Sequence, residues 1–377
     1  MSPTLRGADA ELVRRALEHD EPLPGTVGFA GELDGTLVRD VLGRVPLYVE
    51  ADRDPTNPDT QWAFEPTALE VPELLPPGST LDLTAETDPE PRWTLPEPPL
   101  ETDHDAALER LSDAIRTATT DARSADHDIA VAFSGGVDSA LVAELLDAPL
   151  FVVGFPDSHD VEAARTAADA MGRELTVVSL EPTDLERTVP HVARAIGRTN
   201  AMDVQIALPL SLVGEHVAAE GFDALAVGQG ADELFGGYEK VVHLDHRVEA
   251  ETTRGAVREG IATLPDQLPR DRHAIEATGL EPVMPLLHDA VVDAALRLPD
   301  SLLADEDERK RALRLVAADV LPEDVARRDK KAVQYGSLVA RELDRLARQA
   351  GYKRRIDDHV TKYVRSLLED EPVPPTE

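Results

Sequence analysis

An α/β protein is predicted, built on a parallel, Rossmann-like sheet with a helical C-terminal part and preceded by a small β-rich domain. Three observations lead there. Between residues 129 and 227 short, continuous apolar runs alternate with helix-length segments, as in a parallel sheet covered on both faces. From Tyr238 onward the apolar spacing is helical almost to the end, punctuated by Pro265, Pro269, Pro282, Pro285, Pro299 and Pro322. Before Leu83, by contrast, short alternating segments are broken by Gly, Pro and Asp, the pattern of strands and tight turns.

In chain order, residues 9 to 19 form an amphipathic helix capped by Asp9, with Leu12, Val13, Ala16 and Leu17 inward. Strands are expected at Phe29–Leu33, Thr36–Val38, Pro46–Glu50, Gln61–Phe64 and Thr80–Leu83, which makes residues 1–85 the β-rich domain. Prolines 89, 91, 96, 98 and 99 mark 86–103 as an extended linker. A helix from His104 to about Arg123 then leads into strand 129–133. Strands 150–154, 174–179 and 223–227 follow, with helices 160–171, 184–196 and 206–220 between them. The large domain is taken as 104–366, and 367–377 as a frayed, disordered tail.

Composition narrows the function. There are 73 acidic and 38 basic residues, a net charge of −35, and only six of the basic ones are Lys. Such a surface repels itself at low salt and is screened when the Debye length falls to about 3 Å near 1 M salt, so a halophilic, salt-rich setting is expected. Acid spread along the chain argues against a nucleic-acid partner, which would want Lys and Arg clustered on one face. The absence of Cys excludes disulfides, thiolate metal sites and a Cys nucleophile. With neither a signal-type segment nor an 18-residue apolar run, a soluble, cytoplasmic protein without membrane contact is expected.

The organising stretch is Ile129-Ala130-Val131-Ala132-Phe133-Ser134-Gly135-Gly136-Val137-Asp138-Ser139: a buried strand, a Ser-Gly-Gly turn, and an amphipathic helix carrying Leu141, Val142, Leu145 and Leu146 on one face. Glycines let backbone N–H groups approach a phosphate, and the helix N-terminus adds partial positive charge. Asp138 can hold Mg2+ against the same phosphates, since hard cations take oxygen ligands. Ligands of such sheets bind outside the carboxyl ends of the strands, so the loop Gly228-Gln229-Gly230-Ala231-Asp232-Glu233-Leu234-Phe235-Gly236-Gly237-Tyr238 should face the Ser134 loop.

The hexapeptide Ser134–Ser139 resembles the pyrophosphate loop of enzymes that cleave ATP to AMP and pyrophosphate. Together with the Gly228–Tyr238 loop, and with Val153-Gly154-Phe155-Pro156-Asp157-Ser158-His159-Asp160, it is similar to the synthetase domain of the asparagine synthetase B family, shared with the β-lactam synthetases. The likeness covers about residues 104 to 340. It implies an adenine nucleotide alpha hydrolase-like fold, ATP and Mg2+ as cofactors, and asparagine formation from aspartate and ammonia through an acyl-adenylate. Ser134, Gly135, Gly136 and Ser139 would cradle pyrophosphate, Asp138 and Asp232 would hold magnesium, and backbone near Val153, Gly154, Gly228 and Gly230 would line the adenine pocket. The late lysine of the family matches Lys330 best, with Lys331 next. Lys330, Gln229 and Glu233 are the catalytic candidates.

Two departures qualify the resemblance. The bacterial enzymes carry Glu where this chain has Gln229, and an amide cannot take a proton from ammonium, so the nitrogen donor and the acid stay open. A ligase for another carboxylate, including lactam formation, is the alternative; a tRNA-base adenylating enzyme is a further one, lacking any visible RNA-binding appendage. The second departure is in front. Arg39-Asp40-Val41-Leu42-Gly43-Arg44-Val45-Pro46-Leu47-Tyr48 resembles a segment of the family's glutaminase domain, yet Met1 is followed by Ser2 and no Cys exists. A shortened, degenerate glutaminase-like domain follows, with free ammonia or a separate glutaminase subunit supplying nitrogen; a homodimer is compatible with all of this. His243, Asp245 and His246 match no metal-site spacing. His288 stands where the family has Asp, and its role is left open.

Overall fold

The computed structural model describes residues 4–52, 61–85, 87–125, 127–239, 241, 250–305, 308–328, 337–355 and 357–370. In the front region, strands β1 (Leu5–Arg6), β2 (Ala30–Leu33), β3 (Thr36–Arg39), β7 (Ser79–Asp82) and β8 (Glu90–Pro91) form one antiparallel sheet in the order β1-β2-β3-β7-β8. A second antiparallel sheet has the order β5-β4-β6, from β4 (Tyr48–Glu50), β5 (Trp62–Ala63) and β6 (Pro72–Leu74). Because side chains alternate across a strand, Leu37 of β3 packs with Val45, Leu47, Leu75 and Leu81 in a small core, while its neighbour Val38 faces the large core of the α/β region. Helix α1 (Ala10–His19) is capped by Asp9 as expected and buries Val13 and Ala16.

The stretch expected as a linker is tied down. Its residues Glu90–Pro91 add β8 to the first sheet, and Trp93, 5 % exposed, meets Phe29 edge-on with ring centroids 5.7 Å apart. Helix α2 (His104–Ser124) follows, capped by Asp103.

The large region holds five parallel strands, β9 (Ile129–Ala132), β10 (Leu150–Gly154), β11 (Leu175–Ser179), β12 (Ala224–Ala226) and β13 (Glu281–Val283), in the order β11-β10-β9-β12-β13. From β9 the chain runs through α3 (Val137–Leu146), β10 and α4 (His159–Met171) to β11. It then returns through α5 (Pro182–Ile196) and α6 (Ala201–Ala219) to the other side of β9, so the winding reverses between β9 and β12. That reversal opens a crevice at the carboxyl ends of those two strands, with Ala226 level with Val131.

Three expectations are corrected. Helix α3 is not amphipathic: Val137, Ala140, Leu141, Val142, Ala143 and Leu146 are all buried, because it lies inside the core between sheet and helices. The stretch after Tyr238 is not wholly helical: beyond α7 (Ala231–Phe235), α8 (Thr253–Ile261) and α9 (Leu264–Glu276), β13 adds a short edge strand through Pro282. Helices α10 (Asp289–Leu296), α11 (Asp300–Leu303), α12 (Arg311–Ala318), α13 (Glu323–Ala326), α14 (Val339–Gln349) and α15 (His359–Asp370) follow among the described residues. The last of these runs through 367–370, which were expected in the tail; 371–377 lie outside the described residues. Among the described residues no helix is long and apolar enough to cross a membrane.

Candidate active site

The turn after β9 closes on itself. The Ser134 N–H donates to Ser139 Oγ (3.1 Å), the two serine hydroxyls lie 3.0 Å apart, and Ser139 Oγ donates to the Gly136 carbonyl (3.2 Å). Gly135 turns over α4 beside Ala163. Gly136 is the N-cap of α3 and offers no side chain to the first N–H groups, which leaves them for an anion. Opposite, Gly228 follows β12. A Cβ there would come within 2.8 Å of the Asp138 Cβ, so only glycine lets the second loop lie this close to the first.

Between the loops sits a cation that the sequence did not reveal. Lys310, the left-handed N-cap of α12, reaches Asp138 Oδ2 at 2.6 Å and Asp232 Oδ1 at 2.8 Å. Burial works against its charge, but the two carboxylates outweigh burial and hold its pKa above the ordinary value. Gly237 makes room for this pair; a Cβ there would overlap both Asp232 and Lys310. Lys330 and Lys331, as well as His243, Asp245 and His246, lie outside the described residues. What could have pointed to Lys310 is its rarity, one of six lysines, beside an arginine in Arg309-Lys310-Arg311.

A cleft of about 610 Å³ opens over these loops, lined by Ser134, Val153, Gly228, Gln229, Gly230 and Glu233 among others. A smaller recess adjoins it, walled by Gly136, Asp138, Arg309, Lys310, Arg314 and Arg328. The large cleft is half apolar and suits a nucleoside with an acyl group. The small one is cationic and suits a phosphate chain. Gly154 stands behind the wall, where a Cβ would press on Ser158 Oγ at 2.6 Å; its part is to let Ser158 cap α4.

The acid groups have distinct environments. Glu233, 6 % exposed, is pushed up to about 6 by burial and accepts a hydrogen bond from the Tyr238 hydroxyl. Gln229 donates from Nε2 to Asp271 Oδ2. Asp138 Oδ1 is buried with no hydrogen-bond partner. An orphaned oxygen beside a second carboxylate fits a divalent ion, for which Asp138 and Asp232 would be the protein ligands and substrate phosphates or water the rest. Among the described residues no cluster of three or more His, Asp or Glu could hold a metal unaided. His288 takes no part in the cleft. It caps α10, its Nδ1 accepting from the Ala290 N–H at 3.1 Å, where α10 meets the front region.

The asparagine synthase family profile matches residues 110–259 and 245–371, a stretch that contains both loops, Lys310 and the cleft. The chain belongs to the asparagine synthase family. A Methanocaldococcus jannaschii protein, provisionally named as a glutamine-hydrolysing asparagine synthetase, is 28 % identical over 308 residues, covering 72 % of this chain and 57 % of its own length. Glutamine-hydrolysing asparagine synthetase B of Escherichia coli is 26 % identical over 375 residues, covering 88 % of this chain and 65 % of its own length. The chain thus spans less than two thirds of either relative. The parallel sheet, the β-rich front and the family resemblance all stand as the sequence predicted.

Proposed function

We propose that this chain is an ATP-dependent, AMP-forming amide ligase, making asparagine from aspartate and ammonia. One observation carries the reading: Asp138 and Asp232, from loops after neighbouring parallel strands, converge on a single lysine at the mouth of one cleft. A carboxylate is a poor electrophile. Its oxygen attacks the α-phosphorus of ATP, the bond to pyrophosphate breaks, and the acyl carbon now carries AMP as a leaving group. Nitrogen then attacks that carbon, the C–O bond to AMP breaks, and the nitrogen sheds a proton.

In this reading the N-terminus of α3, Ser134, Ser139 and the arginines of the small recess hold the departing pyrophosphate. Magnesium, held by Asp138 and Asp232, would neutralise phosphate charge. Lys310, bonded to both carboxylates, lessens their repulsion, and Lys330 is proposed as a further cation on the transferring phosphate. Val153, Gly228 and Gly230 line the place of the nucleoside. The front region is proposed not to hydrolyse glutamine. The 377 residues hold no thiol, and Arg39, 0 % exposed, directs four of its five donors to the carbonyls of Val45, Leu75, Gly43 and Pro265, bonds that serve the fold. Nitrogen then comes as ammonia or from a separate glutaminase subunit. A second reading, a ligase for another acid including ring closure to a lactam, is favoured by the amide at Gln229.

In high salt, with ATP, magnesium, aspartate and ammonium, the expected products are pyrophosphate, AMP and asparagine. Pyrophosphate release indifferent to aspartate rejects the first reading. Stimulation by a different acid selects the second.

A further inference from the structure

Gln229 lines the cleft, and its amide is held from behind. Nε2 donates to Asp271 Oδ2, and Asp271, 1 % exposed, cannot turn away. Arg270 grips both of its oxygens, through Nε at 2.7 Å and Nη2 at 3.1 Å. Arg270 is itself anchored on Asp203 at 3.0 Å, which also accepts from Arg198 at 3.2 Å and Asn200 at 2.7 Å. The guanidinium that reaches the cleft from α9 is therefore already matched by two carboxylates, and is a poor seat for a substrate carboxylate.

The facing of the amide matters because the same cleft is lined by Asp232, Glu233 and Glu239. Those groups would draw an unpinned NH2 toward themselves, turning position 229 into a donor. With one Nε2 hydrogen committed to buried Asp271, the carbonyl oxygen is the amide's opposite corner, and among the described residues no donor reaches it.

We propose that Asp271 is a positioning residue that locks Gln229 with its carbonyl toward the cleft, so that this position accepts a hydrogen bond from an N–H group of the substrates. That group is the incoming ammonia or the ammonium of the amino acid being activated; a carboxylate is turned away there. The inference rests on the ligase reading and adds to it the chemistry of what position 229 recognises.

The test uses the full chain in high salt and two assays: ATP–pyrophosphate exchange driven by aspartate, which needs no nitrogen donor, and asparagine formation with ammonium. Gln229→Met keeps the volume and removes the acceptor. It is expected to raise, about tenfold, the KM for ammonium if ammonia is the donor, or the KM for aspartate in exchange if the amino acid is. Asp271→Asn, which frees the amide to turn, should act in the same direction. The swap Gln229→Glu with Asp271→Asn gives the carboxylate a donor behind and an acceptor in front. It should return the affected KM to within about threefold of the unaltered chain, which a mere loss of packing would not do. Both KM values within about twofold of the unaltered chain in Gln229→Met, a loss confined to kcat, or a swap no better than Asp271→Asn alone overturns the proposal. No exchange with any acid in the unaltered chain is a different result, and removes the ligase reading itself.

Discussion

Buried charge is used in two ways in this chain. In the front region Arg39 and Asp40 are 0 % exposed; Arg39 is enclosed by carbonyls, and each Asp40 oxygen accepts two hydrogen bonds, from Phe29, Leu42 and Arg44 N–H groups and from Arg44 Nε. Arg44 continues across the junction to Asp289 at 2.7 Å and to the Leu287 carbonyl at 2.7 Å. In the cleft the accounts are open: Asp138 Oδ1 has no partner, Glu233 is held away from its ordinary range, and one lysine serves two carboxylates. Arg39 and Asp40, with their bonds filled, fix the fold; Arg44 Nη2 and Asp289 Oδ1 at the junction lack a hydrogen-bond partner too, so an orphan points to a ligand only where, as at Asp138, its residue lines an open cleft.

The sharpest test of this contrast is Asp138→Asn. Pyrophosphate exchange is expected to fall by about 10²- to 10³-fold, with a smaller stability loss in denaturant titration than Arg44→Met, because Lys310 keeps Asp232 at 2.8 Å. Arg44→Met should do the reverse. It strands Asp40 and Asp289 without their cation, at about 3–5 kcal/mol of stability, while exchange per folded molecule stays within about threefold. Similar stability losses in both variants would erase the distinction.

The smallest effect is a pH dependence at Glu233. Burial raises this group from 4.5 to about 6, so the folded state holds the proton more tightly than the unfolded chain does. The associated stability is fully present below about pH 4.5 and is lost as the pH rises through about 6. Relative to Glu233→Gln, which does not titrate, the unaltered chain should lose about 2 kcal/mol between pH 4 and 7. A constant difference across that range would show that Glu233 is not shielded from water.

Much of this was legible in the residues themselves. The runs Leu150–Gly154 and Ala224–Ala226, buried throughout, announce a covered parallel sheet, and the two glycine loops announce where its cleft opens. What escaped depends on contacts remote in sequence. Pro282 hides β13, which is a strand only because Leu225 lies beside it. Helix α3 looks one-sided by its leucines, but Ala140 and Ala143 are buried too, and alanine is too small to declare a face. Lys310 follows Asp138 by 172 positions, and nothing local tells a lysine which carboxylates it will meet. Trp93 could have shown that the proline-rich stretch is anchored, since an indole left in water forgoes a large apolar burial.

Helix α9 touches both halves of the molecule. On one flank its Pro265 carbonyl receives Arg39 and its His273 lies 3.3 Å from the Tyr48 hydroxyl, both partners belonging to the front region. From the same helix Gln267 and Arg270 look into the cleft, and Asp271 steadies Gln229. Thirteen residues thus act as a party wall: the β-rich front region braces the room next door, and alterations at the Pro265 or His273 contacts will be felt in the cleft.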